Sequence, residues 1–456
     1  MKLIYNVDDK PKFGQLIIFA IQQLLAIMAA TLVVPVIVGN GMSSAAALFG
    51  AGVGTLIYVA FTKKKSPVFL GSSFAFIGSM FAAFAGATSI ALGYLGIILG
   101  AFFAGLVYVV IALIVKFAGV KWINKLMPAV VIGPTVSIIG LSLAGNAIGD
   151  LTSGGLKVDN VSVASPYVAL ICGLVTLFVV CISSVYGKKM GKLIPFIIGI
   201  LSGYAVATVF TVIGNVAGID ALKVIDFSHI TSLFADGITI KSFLQIPDFT
   251  FLTAFGGIKE LSGTYVVTLI AAYVPVAFVV FAEHIADHKN ISSIIEKDLL
   301  EDPGLSRTLL GDGVGSMAGA FFGGCPNTTY GESVGCVAIT KNASVYTIIG
   351  AAIMAMVISF ISPFVAFVNS IPSCVMGGVC VALYGFIAVS GLKMIQKVDL
   401  EDNRNLFVVS AIFIAGIGGL TLKFGNVEIT TIACALILGI VLNIILSKKK
   451  TEEISE

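Results

Sequence analysis

The chain has 456 residues, of which 58% are hydrophobic and only 11% carry a charge. Because soluble domains are about 25% charged, this composition excludes a soluble globular enzyme and a disordered chain. The net charge of +3, with basic residues scattered along the chain, excludes a nucleic-acid binder. We therefore expect a polytopic helical membrane protein, whose 50 glycines allow its helices to pack closely.

Twelve apolar runs are long enough to cross a bilayer, which takes about 20 helical residues. They lie at about 14–38, 44–61, 93–116, 127–148, 164–185, 193–214, 264–286, 308–324, 345–368, 372–392, 405–421 and 426–447. Two further apolar segments, 67–88 and 325–341, open with a proline and a polar, glycine-containing stretch, so neither is expected to be a plain helix. If both of them cross, the chain has fourteen transmembrane segments.

The distribution of basic residues supports fourteen crossings. With the N-terminus in the cytoplasm and the side alternating at each segment, 22 of the 27 Lys and Arg residues lie inside and five lie outside. If the two broken segments did not cross, clusters such as the one at 188–192 would lie outside. We therefore predict an integral membrane protein with both termini in the cytoplasm.

The two broken segments come third in the first seven and third in the second seven. Because seven is odd, the second set starts from the opposite face of the membrane, as in an inverted repeat. Interrupted segments at matching positions point to a midplane binding site in secondary transporters. The alternative is a pair of proline-kinked helices without function.

The connections and the cysteines carry no predicted chemistry. The stretch 215–262 is expected to be an extracellular linker, either a surface amphipathic helix or partly ordered, and 287–307 a charged cytoplasmic connection with a short helix. His229 is expected to be solvated and His288 to face the cytoplasmic interface. The seven cysteines lie in apolar stretches without a CxxC pair, which favours buried hydrophobic residues over disulfides or a metal site.

Two acidic residues stand out, because a charge inside the membrane costs about 2.5–3.5 kcal/mol even on the lenient insertion scale. Glu283 ends an apolar run, and Glu332 follows the break at Tyr330-Gly331. The structural alternative for each is a helix cap near the interface or a buried neutral carboxyl. Asp287 shares a helix face with Glu283. Two carboxylates in one cavity repel each other, and taking up a proton relieves that repulsion, as a proton-coupled site requires.

The broken segments supply hydrogen-bond donors for a ligand. Unwound backbone before a half-helix leaves free N–H groups, and a helix N-terminus is electropositive. Phe74 and Gly331 lie at these two junctions. Their N–H groups are expected to donate to carbonyl oxygens of a flat ligand, and Glu283 and Glu332 to accept from its ring N–H groups. A nucleobase fits this inventory better than an amino acid or a sugar.

Several stretches of the chain resemble one known family. They are PVFLGSSFAF at 67–76, AEH at 282–284, KDLLEDPGL at 297–305, PNTTYGE at 326–332, GCVAIT at 335–340 and VMGG at 375–378. In this order, over nearly the whole chain, they look like the uracil permeases of the nucleobase–ascorbate transporter (nucleobase:cation symporter-2) family. The PNTTYGE stretch followed by GxxxxT is the most specific of these motifs.

The resemblance implies an all-α fold of fourteen transmembrane segments in two inverted repeats of seven, with short strands in the third and tenth segments. A core domain would comprise residues 1–125 and 263–369. A gate domain would comprise residues 126–262, including the linker, and 370–456. Substrate would lie between the third and tenth segments, facing the gate.

By position, the resemblance assigns substrate binding to five residues and proton coupling mainly to Glu283, with Asp287 beside it. The substrate-binding residues are Glu283, Glu332, Phe74, Gly331 and Tyr330.

Three positions depart from the commonest pattern of the family's uracil permeases. Gln23, in a supporting role, replaces a His and cannot titrate, whereas Asp287 replaces a frequent His and titrates with the opposite charge. Ser333, the second supporting residue, replaces an Asn, which weakens the choice of uracil over another base.

We predict a proton-coupled symporter of the bacterial cytoplasmic membrane that imports uracil, with the proton as coupling ion and no cofactor. The alternatives are a purine (xanthine or urate) permease of the same family, which the TYGE sequence disfavours, and an anion transporter or channel of the same fold, which two buried carboxylates disfavour. An enzyme is not expected, because no Ser–His, paired-Asp or HExxH constellation lies within the spans. The expected partners are a nucleobase and the lipid bilayer, with a homodimer suggested by the resemblance alone.

Overall fold

The computed structural model describes residues 3–119, 128–158, 161–188, 190–424 and 427–452. Four basic residues used to predict the topology lie outside these ranges, namely Lys2, Lys121, Lys125 and Lys189. The predicted domain boundary between residues 125 and 126 also lies outside them.

The first half of the chain forms mainly long apolar helices. In order along the described residues they and the short strands are α1 (Phe13–Val38), α2 (Ser44–Phe61), β1 (Leu70–Ser72), α3 (Ile77–Ala85), α4 (Ile90–Ala118), α5 (Ala129–Ser142), α6 (Ala144–Leu151), β2 (Lys157–Val158), β3 (Val161–Ser162), α7 (Pro166–Tyr186), α8 (Met190–Leu193) and α9 (Pro195–Ala217).

The linker and the second half also consist mainly of helices with a few short strands. Their elements are α10 (Ser228–Thr231), α11 (Thr250–Ala254), α12 (Gly263–Ile295), α13 (Leu305–Gly323), β4 (Asn327–Thr329), α14 (Gly331–Thr340), α15 (Val345–Ile358), α16 (Ser362–Ser370), α17 (Ser373–Ile395), α18 (Asn403–Ile417), β5 (Leu422–Phe424), β6 (Val427–Ile429) and α19 (Thr431–Glu452). Within 215–262 the structure has several short helical turns in place of a single surface helix, which was one of the two expected alternatives.

Serine side chains mark where three of these helices begin. The hydroxyl oxygens of Ser43, Ser89 and Ser262 accept hydrogen bonds from backbone N–H groups in the first turns of α2, α4 and α12, over 3.1 to 3.2 Å. Such caps satisfy N–H groups that have no acceptor within the helix. The capped ends coincide with the ends of apolar runs in the sequence.

Eight helices of the described chain are long and apolar enough to cross a membrane by length and composition: α1, α2, α4, α5 with α6, α7, α9, α12 and α17. Shorter apolar helices include α15, α18 and the segment Phe74–Ala85. The expectation of a helical membrane protein with many spans is confirmed. The count of fourteen segments stays a prediction.

Three predicted spans differ in detail from the structure. The fifth is broken at Leu143 into α5 and α6, and the eleventh is broken at 359–361 into α15 and α16. Pro363 lies in the first turn of α16, where a proline is tolerated but the residues before it leave the helical conformation. The eighth span does not end near 286, because α12 continues to Ile295 and buries Ile291 and Ile295.

The two broken segments pair with each other at the centre of the protein. Strands β1 and β4 are antiparallel, with Leu70 opposite Thr329 and Ser72 opposite Asn327. Each strand leads directly into a short helix, so the antiparallel pairing sends α3 and α14 in opposite directions. The expected strands of the third and tenth segments are therefore present.

Glycines allow α2 to approach α13 closely. A Cβ atom on Gly50 would lie 2.6 Å from the carbonyl oxygen of Gly319, and one on Gly54 would lie 2.7 Å from that of Gly315. The amide of Asn327 donates to the carbonyl of Gly50 over 3.1 Å, which anchors β4 against the same pair. Small residues at such contacts bring helix backbones together in lipid, where the hydrophobic effect between helices is absent.

Helix packing falls into two groups. In the first, α2 packs on α13 and α15, and α4 packs on α12 and α13. In the second, α17 packs on α5, α6 and α7, and α18 packs on α5 and α19. The two groups meet around the strand pair, where α12 contacts α5 and α19 and α1 contacts α9.

Candidate functional site

A cavity of about 440 Å³ lies between the two groups of helices. The broken segments and α12 supply one wall, which includes Phe74, Glu283, Asp287, Thr329, Gly331 and Glu332. Helices α5, α9 and α17 supply the other, which includes Val136, Phe196, Leu383, Phe386, Ser390 and Lys393. The volume is in the range of small-molecule sites.

Helix α12 presents two carboxyl groups to this cavity. Glu283 and Asp287 are one helical turn apart, and both line the wall. The hydroxyl of Thr329, at the end of β4, donates a hydrogen bond of 2.8 Å to Oδ2 of Asp287. This bond ties α12 to the strand pair, so the orientation of Asp287 depends on the broken segment opposite.

The third carboxyl group comes from the half-helix α14. Glu332 lies in its first turn, next to Gly331, which is exposed to the cavity. The first N–H groups of a helix have no intrahelical acceptor and carry partial positive charge. Gly331 has no side chain to cover them, and even a Cβ there would come no closer than 3.7 Å to its nearest neighbour, Asp287 Oδ1.

Phe74 opens the other half-helical segment on the same wall. Its backbone begins the helical turn Phe74–Phe76 immediately after the strand pair. Its ring packs edge-on against Tyr384 of α17, with 6.2 Å between ring centroids. Phe74 therefore lies where the two groups of helices meet, and the structure brings it to the same cavity as Glu283, Gly331 and Glu332, as the sequence predicts.

Tyr330 lines the cavity, but its hydroxyl is already engaged. It donates a hydrogen bond of 2.7 Å to the carbonyl of Ser72, and only 4% of the residue is exposed. Its ring lies against Gly71, where a Cβ would come within 2.4 Å of ring atoms. The tyrosine thus clamps β1 to the start of α14, and its hydroxyl supports the wall of the cavity.

Gln23 and Ser333 lie behind the wall. Both are buried, and the side-chain amide of Gln23 donates to the hydroxyl of Ser333. That hydroxyl also accepts a hydrogen bond of 2.9 Å from the backbone N–H of Phe69, just before β1. The two predicted supporting residues therefore connect α1, α14 and the first broken segment without lining the cavity.

Three buried polar residues were missed or misplaced by sequence reasoning. Asp312, in the middle of α13, is fully buried, and Oδ2 lies 2.7 Å from Nδ1 of His284. The sequence does carry a signal for this residue, because Asp312 is a carboxylate inside the predicted span 308–324, between Gly311 and Gly313. The expectation that His288 faces the cytoplasmic interface is wrong, because α12 continues past it and the imidazole is fully buried beside His284.

The opposite wall also carries polar groups that the sequence did not single out. Ser390 and Lys393 follow the last apolar turns of α17 and line the cavity. Lys393 is exposed, so it marks an end of the cavity that is open to solvent. No local signal distinguishes these residues from an ordinary helix end.

A many-helix membrane protein with a cavity between two groups of helices, and with polar groups on the wall that the broken segments form, is built as a permease rather than as an enzyme. The chain belongs to the permease family, since the model of that family (Xan_ur_permease) matches residues 14–425.

Relatives match over nearly the full length. The uracil permease of Bacillus caldolyticus is 39% identical over 452 residues, which cover 98% of this chain and 95% of that protein. The uracil permease of Bacillus subtilis (strain 168) is 36% identical, with 99% and 97% covered. The uracil permease of Escherichia coli (strain K12) is 34% identical, with 96% and 93% covered.

Solved structures share the fold at much lower identity. The transmembrane domain of a cyanobacterium bicarbonate transporter, BicA, aligns with a TM-score of 0.62 at 14% identity, covering 96% of this chain and 98% of that one. Murine Solute Carrier 26 family member A9, an anion transporter, aligns with a TM-score of 0.65 at 12% identity, covering 97% and 70%. At such identities only the fold is shared.

Proposed function

We propose that this permease is a secondary active transporter that imports uracil together with protons. The observation that carries the proposal is the cavity wall itself, which is lined by two glutamates and by the exposed start of a half-helix. Full-length relatives that are uracil permeases support the choice of substrate.

The polar groups of the wall match the edge of a pyrimidine. The carboxylates of Glu332 and Glu283 accept hydrogen bonds from ring N–H groups, and these bonds are strong because the acceptor is charged. The backbone N–H groups at Gly331 and Phe74 donate to ring carbonyl oxygens. A hydrogen-bonding site of this kind rejects analogues that leave its buried polar groups unpaired.

The three carboxyl groups also account for coupling to protons. Glu283, Asp287 and Glu332 share a cavity without a buried cation among its lining residues, since Lys393 lies at the exposed end. Repulsion between carboxylates favours binding of a proton when the site closes and water leaves. Glu283 is the main proton carrier in this proposal, with Asp287 beside it.

Movement between the two groups of helices would give alternating access. The cavity lies where the groups meet, so a rocking motion of one group against the other changes the side to which the cavity opens. In this proposal residues 1–125 and 263–369 form the core, and the remaining segments form the gate. The protein has fourteen segments with both termini in the cytoplasm.

Two other classes of substrate are alternatives to a pyrimidine. A purine would hydrogen-bond to the same carboxylates, and competition experiments distinguish a purine permease from a pyrimidine permease. The solved structures with this fold include transporters of anions. Three carboxyl groups around the cavity disfavour an anion here, because like charges repel in a medium of low dielectric.

The test is uptake of radiolabelled uracil by cells that express this chain and lack their own uracil transport. We expect unlabelled uracil to compete, xanthine, urate and bicarbonate to compete weakly, and a protonophore to abolish accumulation. Stronger competition by xanthine would assign a purine permease. Accumulation that survives the protonophore would overturn the proton coupling.

A further inference from the structure

Helix α12 carries two doublets, Glu283-His284 and Asp287-His288, one helical turn apart. The two carboxylates line the cavity, while both imidazoles are fully buried on a different face of the helix. The imidazole rings stack on each other, with 4.0 Å between centroids. Each cavity carboxylate is therefore adjacent in sequence to a histidine whose contacts lie within the protein.

His284 is held by α13 through both ring nitrogens. Nδ1 lies 2.7 Å from Oδ2 of Asp312, and Nε2 lies 3.0 Å from the hydroxyl oxygen of Thr308. Thr308 donates its own proton to the carbonyl of Leu305 over 3.0 Å, so Nε2–H is the donor toward Thr308. All three side chains in this contact are fully buried.

His288 is held by α2. Its Nδ1–H donates to the carbonyl of His284 over 2.8 Å, because a carbonyl oxygen only accepts. In the neutral ring Nε2 then accepts from the hydroxyl of Tyr58 over 2.6 Å, and Tyr58 accepts in turn from Ser66 over 2.7 Å. This chain ends at a backbone carbonyl, so it fixes the ring and does not conduct protons toward the cavity.

We propose that His284 and His288 are positioning residues that set the rotation of α12 and so aim Glu283 and Asp287 into the cavity. Neighbouring residues on a helix differ by about 100° around its axis, so a turn that displaces an imidazole swings the adjacent carboxylate by the same angle. Contacts from two different helices, from α13 to His284 and from α2 to His288, define that rotation. The functional consequence rests on the proposed uracil site, whereas the geometry does not.

The experiment measures directly whether the carboxyl groups of Glu283 and Asp287 are accessible from the cavity. The purified protein is treated with a hydrophobic carbodiimide, and labelling of Asp287, Glu283 and Glu332 is quantified by mass spectrometry. Glu332 is on α14, so its labelling is an internal reference. Uracil binding is measured on the same preparations.

Each variant removes one of the two contacts that hold the histidines, with minimal change in the shape of the substituted side chain. Tyr58→Phe deletes the donor to His288, Thr308→Val deletes the contact to His284, and Thr308→Ser keeps the hydroxyl as a rescue. Tyr273→Phe is the matched control. Tyr273 is a fully buried tyrosine on α12 whose hydroxyl has no hydrogen-bond partner in the described structure.

We expect Tyr58→Phe to change labelling of Asp287 relative to Glu332, and Thr308→Val that of Glu283, with uracil affinity about tenfold lower in each case. Thr308→Ser and Tyr273→Phe should match the parent protein. Unchanged labelling ratios in folded Tyr58→Phe and Thr308→Val overturn the inference. Global unfolding of both variants overturns it too, because the hydroxyls would then support the whole core. If the parent binds no uracil, the proposed function fails, and the labelling ratios still decide the role of the histidines.

Discussion

Glu332 brings a carboxyl group to the first turn of a half-helix that faces the cavity. The exposed helix start offers donors and the side chain offers a charged acceptor, so one short segment presents both halves of a hydrogen-bonding pattern. In the proposed site, this position would contact a flat ligand with alternating N–H and C=O groups through both its backbone and its side chain.

Replacing this carboxylate tests the assignment. We expect Glu332→Gln to lower uracil affinity at least about a hundredfold, because a charge-assisted acceptor is lost and the new amide N–H opposes a ligand N–H. Direct binding of labelled uracil to membranes measures the effect. Glu401→Gln, at an exposed glutamate outside the cavity, is the control. Uptake by Glu332→Gln at the parent level would contradict the site.

Glu283 is expected to have a different signature. Glu283→Gln keeps the size of the side chain but removes a group that can take up a proton. Accumulation driven by a pH gradient should therefore fall more than uracil binding does. Uptake with and without a protonophore, compared with equilibrium binding, separates the two effects. If accumulation remains proton-dependent, the coupling lies with Asp287 or another group.

The strand pair is the element on which the site depends. Strands β1 and β4 have only three residues each, so their stability comes from side chains around them. Tyr330 clamps the pair through Ser72, and Asn327 anchors it to α2. Because both half-helices start from these strands, a shift in their register would move Phe74 and Glu332 together.

Substitution of Gly71 tests whether the strand pair depends on its close contact with Tyr330. A Cβ on Gly71 would lie 2.4 Å from the ring of Tyr330, which its hydrogen bond holds in place. We expect Gly71→Ala to cost about 1–3 kcal/mol of stability through overpacking, and to weaken uracil binding. Thermal unfolding in detergent measures the first effect. Gly78→Ala in α3 has nothing within 4 Å of the new methyl group and should not destabilise the protein. Equal melting temperatures for the two variants would contradict the close contact.

At the scale of the whole molecule, the cavity is shared between two groups of helices. Its acidic wall comes from α12, β4 and α14, and its other wall from α5, α9 and α17. The acidic groups are confined to one wall, so relative movement of the groups would leave the carboxylates and half-helix ends together. This asymmetry suits a binding site that stays intact while access to it changes.

The proposed topology can be measured on intact cells. Lys157, between α6 and α7, should be extracellular, and Lys188, after α7, should be cytoplasmic; both are exposed. A membrane-impermeant maleimide should label Lys157→Cys and leave Lys188→Cys unlabelled until the cells are opened. The unmodified chain, with its own cysteines, provides the background. Labelling of Lys188→Cys from outside would contradict fourteen crossings.

Local patterns predicted much of the fold because lipid imposes a local rule. Runs of about 20 apolar residues became helices, and Pro67 and Pro326 marked the segments that break. Glu283 and Glu332 stood out because a charge inside a span is costly to bury, and the same reasoning applied to the span 308–324 finds Asp312. The break at Leu143 was not predicted, although Ser142, Gly145 and Asn146 beside it are weaker helix formers than the residues of most intact spans.

The sequence by itself determined that the protein is a multi-span membrane protein, and it determined most of the helical segments, the two broken segments and the acidic residues of the cavity. Each of these follows from the transfer of residues between water and lipid. Only the tertiary structure decided which side chains line the cavity and which contact one another inside the protein. It placed Gln23 and Ser333 behind the wall, buried His288, and paired His284 with Asp312. Those outcomes depend on how helices far apart in sequence rotate against one another, and the period of a single helix carries no information about its neighbour.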